Sequence, residues 1–274
     1  MSQKETKVPA AYDAFLRGWD HFRRATMDDY AQAIQYLEQA VALDPDYGRA
    51  YAALALVHES RAASGWHRGQ GDFTNEVSLV ISRNLDEAKK HPTSTYYQAA
   101  GVSATDIGLY QDAVDSFTKA IALDPSDSWS YAYMSRTLTF WGRPTEAIPY
   151  IQTAMRVDPH YPPVFLSFLG LAQFSLEQYE QAAESLEAAT GLNREDAAGV
   201  LLLGATYGHL GRKQEAQSAV AAFDALMKRR GDFPPITATF AWGTWGFVKR
   251  PDRDRLFDGL VLAGVPERMP PRQK

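Results

Sequence analysis

Two Asp-Pro pairs, Asp124-Pro125 and Asp158-Pro159, set prolines 34 residues apart, each closing a run with helical periodicity. A residue before proline is pushed out of helical geometry, so each pair reads as a helix stop. Between the stops the spelling repeats. Tyr131, Met134, Leu138, Ala147, Ile151 and Ala154 follow the spacing of two amphipathic helices around a break. Gly142 stands at the break, where a helix end uses a left-handed residue. Ala147 and Ala154 are small enough for close helix approach, and Ile151 fills the space between them. A repeat of this length describes a helical hairpin that cannot bury its apolar face alone and must stack on neighbours.

The preceding unit carries Tyr97, Gly101, Ala104, Gly108, Ala113, Phe117, Ala120 and Pro125 in corresponding places. A later one carries Leu203, Gly204, Tyr207, Gly211, Ala216, Val220 and Phe223. Between them, Leu169, Gly170, Ala182, Leu186 and Ala189 form a slightly longer unit, with Asn193-Arg194 replacing Asp-Pro and Tyr161-Pro162-Pro163 lengthening its turn. The first unit has Ala33, Leu37, Ala40 and Pro45 on its second helix, and a few extra residues near Thr26 to Asp29 after its first. The second has Tyr51, Leu54 and Ala55, then Ile81, Leu85, Ala88 and Pro92 across a long insertion.

On these residues the chain resembles the tetratricopeptide repeats over residues 11 to 265. The resemblance implies an all-α, right-handed α-solenoid of six helix-turn-helix units plus a C-terminal capping helix pair. The units run 11–47, 48–93, 94–127, 128–162, 163–196 and 197–231, with the cap over 232–265, a flexible N-terminus at 1–10 and a flexible tail at 266–274. A narrower resemblance rests on AYDAFLRGWDHFRR, AIQYLEQAVALDPDYGRAYAALA and LFDGLVLAGVPE. These are similar to repeat regions attached to bacterial class III adenylate cyclases and to winged-helix transcription regulators. In such proteins the repeats are sensory or docking portions, and no cyclase or winged-helix segment is present here.

A chain that is 45% hydrophobic and 22% charged can bury a core repeat by repeat, without a disulfide or metal staple. The net charge of −5 weighs against general nucleic-acid binding. Lys228, Arg229, Arg230, Lys249, Arg250, Arg253 and Arg255 are diluted by Asp232, Asp252 and Asp254. With no cysteine, disulfides, thiol catalysis and thiolate zinc sites are out. The first ten residues hold no apolar segment of a signal peptide, and no stretch approaches the roughly 20 apolar residues of a spanning helix. The expected location is cytoplasmic, or periplasmic if the repeats belong to a membrane-tethered regulator.

Two stretches break the rule. SGWHRGQGDFT interrupts the second unit: Gly65, Gly69 and Gly71 break the helical pattern, and Asp72 or Thr74 can cap the next helix. Next to His67 and Arg68 these glycines suggest a phosphate cradle, but the Gly-Lys-Ser/Thr ending and a preceding strand are missing. The plainer reading is a long loop with Trp66 and Phe73 packed on the stack. Near the C-terminus, Phe233-Pro234-Pro235 opens a helix-like stretch with Phe240, Trp242, Trp245 and Phe247, and Arg253 to Gly264 reads as a last helix with Leu256, Phe257, Leu260 and Val261 apolar. A terminal repeat must cover the end of the core, so this is a cap. Self-association through an exposed aromatic patch is the other reading.

No catalytic or metal signature emerges. The histidines (21, 58, 67, 91, 160 and 209) form no His-Glu-x-x-His pattern, and there is no Gly-x-Ser-x-Gly elbow or dinucleotide fingerprint. The chain reads as non-enzymatic, with no cofactor and no metal. Asp28-Asp29 suits a helix start, where the dipole favours acids.

The resemblance implies recognition along a concave groove lined by the first helices. Its candidate residues are Gln98, Thr105, Asp106, Trp129, Tyr133, Arg136, Phe140, Ser167, Phe174 and His209. Thr95, Phe168, Leu171 and Leu201 share the same positions, Phe168 also packing between units. Aromatics give contact area at low entropy cost, and arginine can hold a carboxylate bidentately. The expected partner is a protein or peptide with apolar side chains and an acidic group; the alternative is a small effector bound by a sensory module. The other reading is that these aromatics simply fill a tightly coiled stack. The lysine and asparagine clamp of chaperone-tail binders is not reproduced, since Arg136 is the only basic residue at these central positions.

Overall fold

The computed structural model describes residues 6–24, 26–63, 71–231, 235–244 and 246–268, without side chains at 27, 63, 71–75 and 242–244. Among the described residues the structure is all-helical, with no strands. The chain divides into two compact units, Met1–Pro125 and Ser126–Lys274. In the first, α1 (Pro9–Arg24) packs on α2 (Met27–Leu43), α3 (Gly48–Ala63) on α4 (Gly71–Ala88) and α5 (Ser94–Asp106) on α6 (Tyr110–Leu123). In the second, α7 (Ser128–Phe140) packs on α8 (Pro144–Val157), α9 (Val164–Ser175) on α10 (Tyr179–Leu192) and α11 (Ala197–His209) on α12 (Lys213–Gly231). Two further helices follow, α13 (Ala238–Thr244) and α14 (Arg250–Leu262). First helices also pack on one another within a unit, α3 on α5, α7 on α9 and α9 on α11.

The helix stops have a common geometry. Asp44, Asp124 and Asp158 end α2, α6 and α8 in extended conformations (φ −141°, −138° and −121°), each donating its N–H to an alanine carbonyl four residues back. Asn193 ends α10 the same way at φ −133°, although no proline follows it. The side chain explains this. Oδ1 of Asn193 accepts from the Glu195 N–H at 3.0 Å, as Asp44 does from Asp46 (3.1 Å) and Asp158 from His160 (3.0 Å). These are Asx turns, and the turn itself ends the helix whether or not proline reinforces it.

The breaks inside the hairpins are left-handed residues. Gly108, Gly142 and Gly211 have φ of +81°, +77° and +68°, and Glu177 takes the same place at +62°. A Cβ there costs roughly 1–2 kcal/mol, so Glu177 sits under backbone strain that its three glycine counterparts avoid. Hairpins close through small residues facing large ones. A Cβ at Gly101 would stand 2.7 Å from the Phe117 ring, and one at Gly170 2.6 Å from Leu186. Phe117, Ile151 and Leu186 are fully buried, each burial worth about 2 kcal/mol.

Three boundaries differ from the sequence reading. The extra residues near Thr26 are a helix start: the Thr26 hydroxyl accepts from the Asp29 N–H, and Asp28 and Asp29 lie in the first turn of α2. Helix α4 begins at Gly71, so Asp72 and Thr74 lie inside it instead of capping it. Trp66, His67, Arg68 and the side chain of Phe73 lie outside the described residues. The termini are tied down further out than expected. Helix α1 starts at Pro9, Thr6 bonds the Asp44 carboxylate, and the Pro266 and Glu267 carbonyls accept N–H bonds from Ala238 and Thr239.

Candidate functional site: the first-helix face of the second unit

Asp127 caps α7, its carboxylate accepting from the Trp129 N–H at 3.2 Å and from the Ser130 hydroxyl at 2.5 Å. From that start, Trp129, Tyr133, Arg136 and Phe140 recur at helical spacing along one face. The Trp129 and Tyr133 rings are 5.4 Å apart, and Tyr133 meets Phe168 of α9 at 6.1 Å. The Arg136 guanidinium lies 5.3 Å from the Tyr133 ring, 5.8 Å from Phe168 and 6.0 Å from Phe140. Each such contact is worth about 0.5–1 kcal/mol where solvent reaches, and more where it does not. Trp129, Arg136 and Phe140 are half-buried and Tyr133 is buried, so a cation sits in a partly covered aromatic frame.

The C-terminal segment crosses the far half of this face. Phe247 is fully buried and meets Phe140 edge-on at 5.4 Å, while the Val248 N–H donates to the Phe140 carbonyl at 2.9 Å. The Lys249 ammonium donates to the Gly142 carbonyl at 2.6 Å. Arg255 donates to Glu177 and Asp252, both at 2.7 Å. Burial alone would lower the Arg255 pKa, but these two bonds outweigh it and raise it. Further along, α14 crosses α11 where both backbones are bare: a Cβ at Gly259 would stand 2.6 Å from the Ala205 carbonyl oxygen, and one at Gly208 would collide with the Gly259 carbonyl. His209 Nε2 lies 2.8 Å from the Arg255 carbonyl, and its ring stacks on Tyr179 at 4.4 Å. Burial pushes the Tyr179 phenol up, against the pull of nearby Arg255.

The sequence-derived site residues therefore have different surroundings. Gln98, Thr105 and Asp106 belong to the first unit and the rest to the second. Gln98 is buried; Thr105 is buried too, and its hydroxyl donates back to the Gly101 carbonyl at 2.8 Å. Asp106 is exposed at the end of α5. Trp129, Tyr133, Arg136 and Phe140 come together on one face. Ser167 is buried and donates to the Asp196 carboxylate at 2.5 Å, which also caps α11 through the Gly199 N–H. Phe174 is fully buried against Tyr179 and His209. Phe168 completes the aromatic frame. The residues of the crossing segment, above all Phe247, Lys249, Arg255 and Gly259, were legible only as parts of a cap. Of the aromatics beside them, Phe240 is 47% exposed, and the Trp242 side chain and Trp245 lie outside the described residues.

No helix among the described residues is long and apolar enough to cross a membrane. The family model for the tetratricopeptide repeat matches residues 25–47, 94–127 and 165–196. A DnaJ homolog subfamily C member 7 homolog of Dictyostelium discoideum is 27% identical over 173 residues, 62% of this chain and 26% of that protein. A STIP1 homolog of the same organism is 29% identical over 152 residues, 54% of this chain and again 26% of the relative. The match thus spans about a quarter of these relatives' length. Among solved structures, the APC/C hetero-tetramer Cut9-Hcn1 aligns over 94% of this chain and 47% of its own, with a TM-score of 0.60 at 18% identity. The Pseudomonas aeruginosa pilF structure aligns over 82% of this chain and 94% of its own, with a TM-score of 0.51 at 17% identity. The matched repeats and the helix pairs agree: the chain carries tetratricopeptide repeats at residues 25–47, 94–127 and 165–196, within an all-helical fold similar to these solved structures.

Proposed function

We propose that the chain is a non-enzymatic scaffold that takes a protein or peptide partner on its first-helix face, the concave groove of this repeat family. The observation that carries the reading is Arg136, framed by Tyr133, Phe168 and Phe140 on one face of α7 and α9. A buried and two half-buried aromatics around an arginine have the composition of binding hot spots. A guanidinium there favours a peptide with apolar side chains and a carboxylate. On this reading Trp129, Tyr133, Arg136 and Phe140 touch the partner, and Ser167, Phe174 and His209 hold the helices that present them. In the first unit, Asp106 would offer a contact and Gln98 and Thr105 would support it. The location that fits is the cytoplasm.

The test is capture by wild type and by Trp129→Ala/Arg136→Glu, each checked for unchanged helicity. A partner held by wild type and weakened at least tenfold in the variant is the expected result; equal retention by both overturns the reading. A metabolite that raises the melting temperature of wild type alone would make the occupant a small effector, since a ligand of the folded state stabilises it. A self-associating reading has one observation in its favour, the exposed Phe240 on α13. Sedimentation of Phe240→Ser against wild type decides it.

A further inference from the structure

Helix α14 lies across the receiving hairpins like a ligand. Its approach residues reach the end of α7 through Phe247, Val248 and Lys249, the turn after α9 through Arg255, and α11 through Gly259. These contacts span sequence separations of 107 for Lys249 and 78 for Arg255. The receiving edge is made of the C-terminal ends of α7, α9 and α11. Helix C-termini carry partial negative charge, and Glu177 adds a full one. The two side chains that grip it are basic: Lys249 takes a helix-terminal carbonyl, and Arg255, also held by Asp252 of its own helix, takes Glu177. Beyond these polar grips the helices meet through Gly208 and Gly259, with backbone close to backbone.

We infer that this edge is a helix-binding site, held in cis by residues 247–262, whose external ligand is a basic amphipathic partner helix. The ligand carries an aromatic side chain, two basic side chains and a glycine or alanine, spaced as Phe247, Lys249, Arg255 and Gly259 are. The inference rests on the reading of the chain as a binding scaffold and adds to the Arg136 face a second, adjoining site with its own control: the basic helix competes with α14. Aromatic burial beside Phe140 anchors one end, charge complementarity selects a basic helix over an acidic one, and the small residue permits the crossing at Gly208. A helix with a large side chain at the Gly259 place cannot seat.

The probe is a fluorescein-labelled peptide of residues 246–265, added in trans to the full chain. Two variants release the cis segment without altering the receiving edge: Gly259→Leu, whose side chain would strike the Ala205 carbonyl and the His209 ring, and Lys249→Glu/Arg255→Glu, which sets carboxylates against Glu177 and the α7 terminus. Circular dichroism confirms that each keeps its helices, and the charge-reversed pair serves if Gly259→Leu fails to fold. The expected result is peptide binding at least tenfold tighter to the released variants than to wild type. It weakens as salt rises and is lost with a Phe247→Ala peptide or when Gly208→Leu is added to the receiver. Equal binding to wild type and released variants, or no binding to a helical released variant, overturns the inference. If the peptide fails while a partner is still lost through Trp129→Ala/Arg136→Glu, the binding face stands and only its cis control falls.

Discussion

The turn that ends α5 in the first unit and the turns that end α7, α9 and α11 in the second have opposite fates. In the first, Ile107 and Leu109 flank Gly108 and are 70% and 51% exposed. In the second, the Gly142 carbonyl holds Lys249, Glu177 holds Arg255, and Leu210 packs into the core that includes Leu256 and Leu260. The same 34-residue rule wrote all of these turns. The covering layer comes from outside the repeat, so periodicity builds the hairpins without deciding which edge is left bare.

The contrast breaks most sharply at Phe247. Replacing this fully buried ring by alanine should cost about 3 kcal/mol, read as a lower urea midpoint. A smaller effect belongs to the first unit. Burial of His58, helped by the nearby Arg61 charge, lowers its pKa to about 4. The folded state then holds the neutral ring while the unfolded chain protonates near pH 6.5. Stability is therefore full above pH 6.5 and falls as pH drops toward 4, by on the order of 2 kcal/mol. His58→Gln should flatten that slope in pH-dependent thermal unfolding; an unchanged slope would place the titrating group elsewhere. Smallest of all is the bare edge. Ile107→Ser/Leu109→Ser should shift stability by less than about 0.5 kcal/mol. A loss of several times that would mean this edge is covered in solution after all, and the contrast would vanish.

Much of the hairpin geometry was open to reading because local chemistry dictates it. Asp44, Asp124 and Asp158 before proline are pushed out of helical geometry, and glycines 108, 142 and 211 reach the left-handed breaks without the penalty a Cβ brings. Glu177 did not betray its left-handed backbone, because no local preference demands it and the neighbouring repeats impose it. Asn193 lacked the proline signal yet stops its helix through a side-chain bond. At the site, spacing put Trp129, Tyr133, Arg136 and Phe140 on one face, but could not separate polar residues that face outward from those bonded within, such as Ser167 to Asp196. The crossing segment was hidden for a different reason. Phe240 and Phe247 look alike in sequence, and only the docked backbone distinguishes an exposed ring from a buried one. Nor do the glycines announce themselves: Gly208 matters because Gly259, far along the chain, approaches it.

The reach of Lys249 back to Gly142, across 107 residues, has a consequence for synthesis. At 5–20 residues per second, a ribosome adds Lys249 roughly 5–20 s after it adds Gly142, and the same delay separates their emergence from the exit tunnel. During that interval a nascent chain presents the α7 terminus and the Phe140 ring uncovered, whatever the finished protein does with them. A cellular factor that favours this edge could meet it first on the ribosome, before the chain's own last helix arrives to compete.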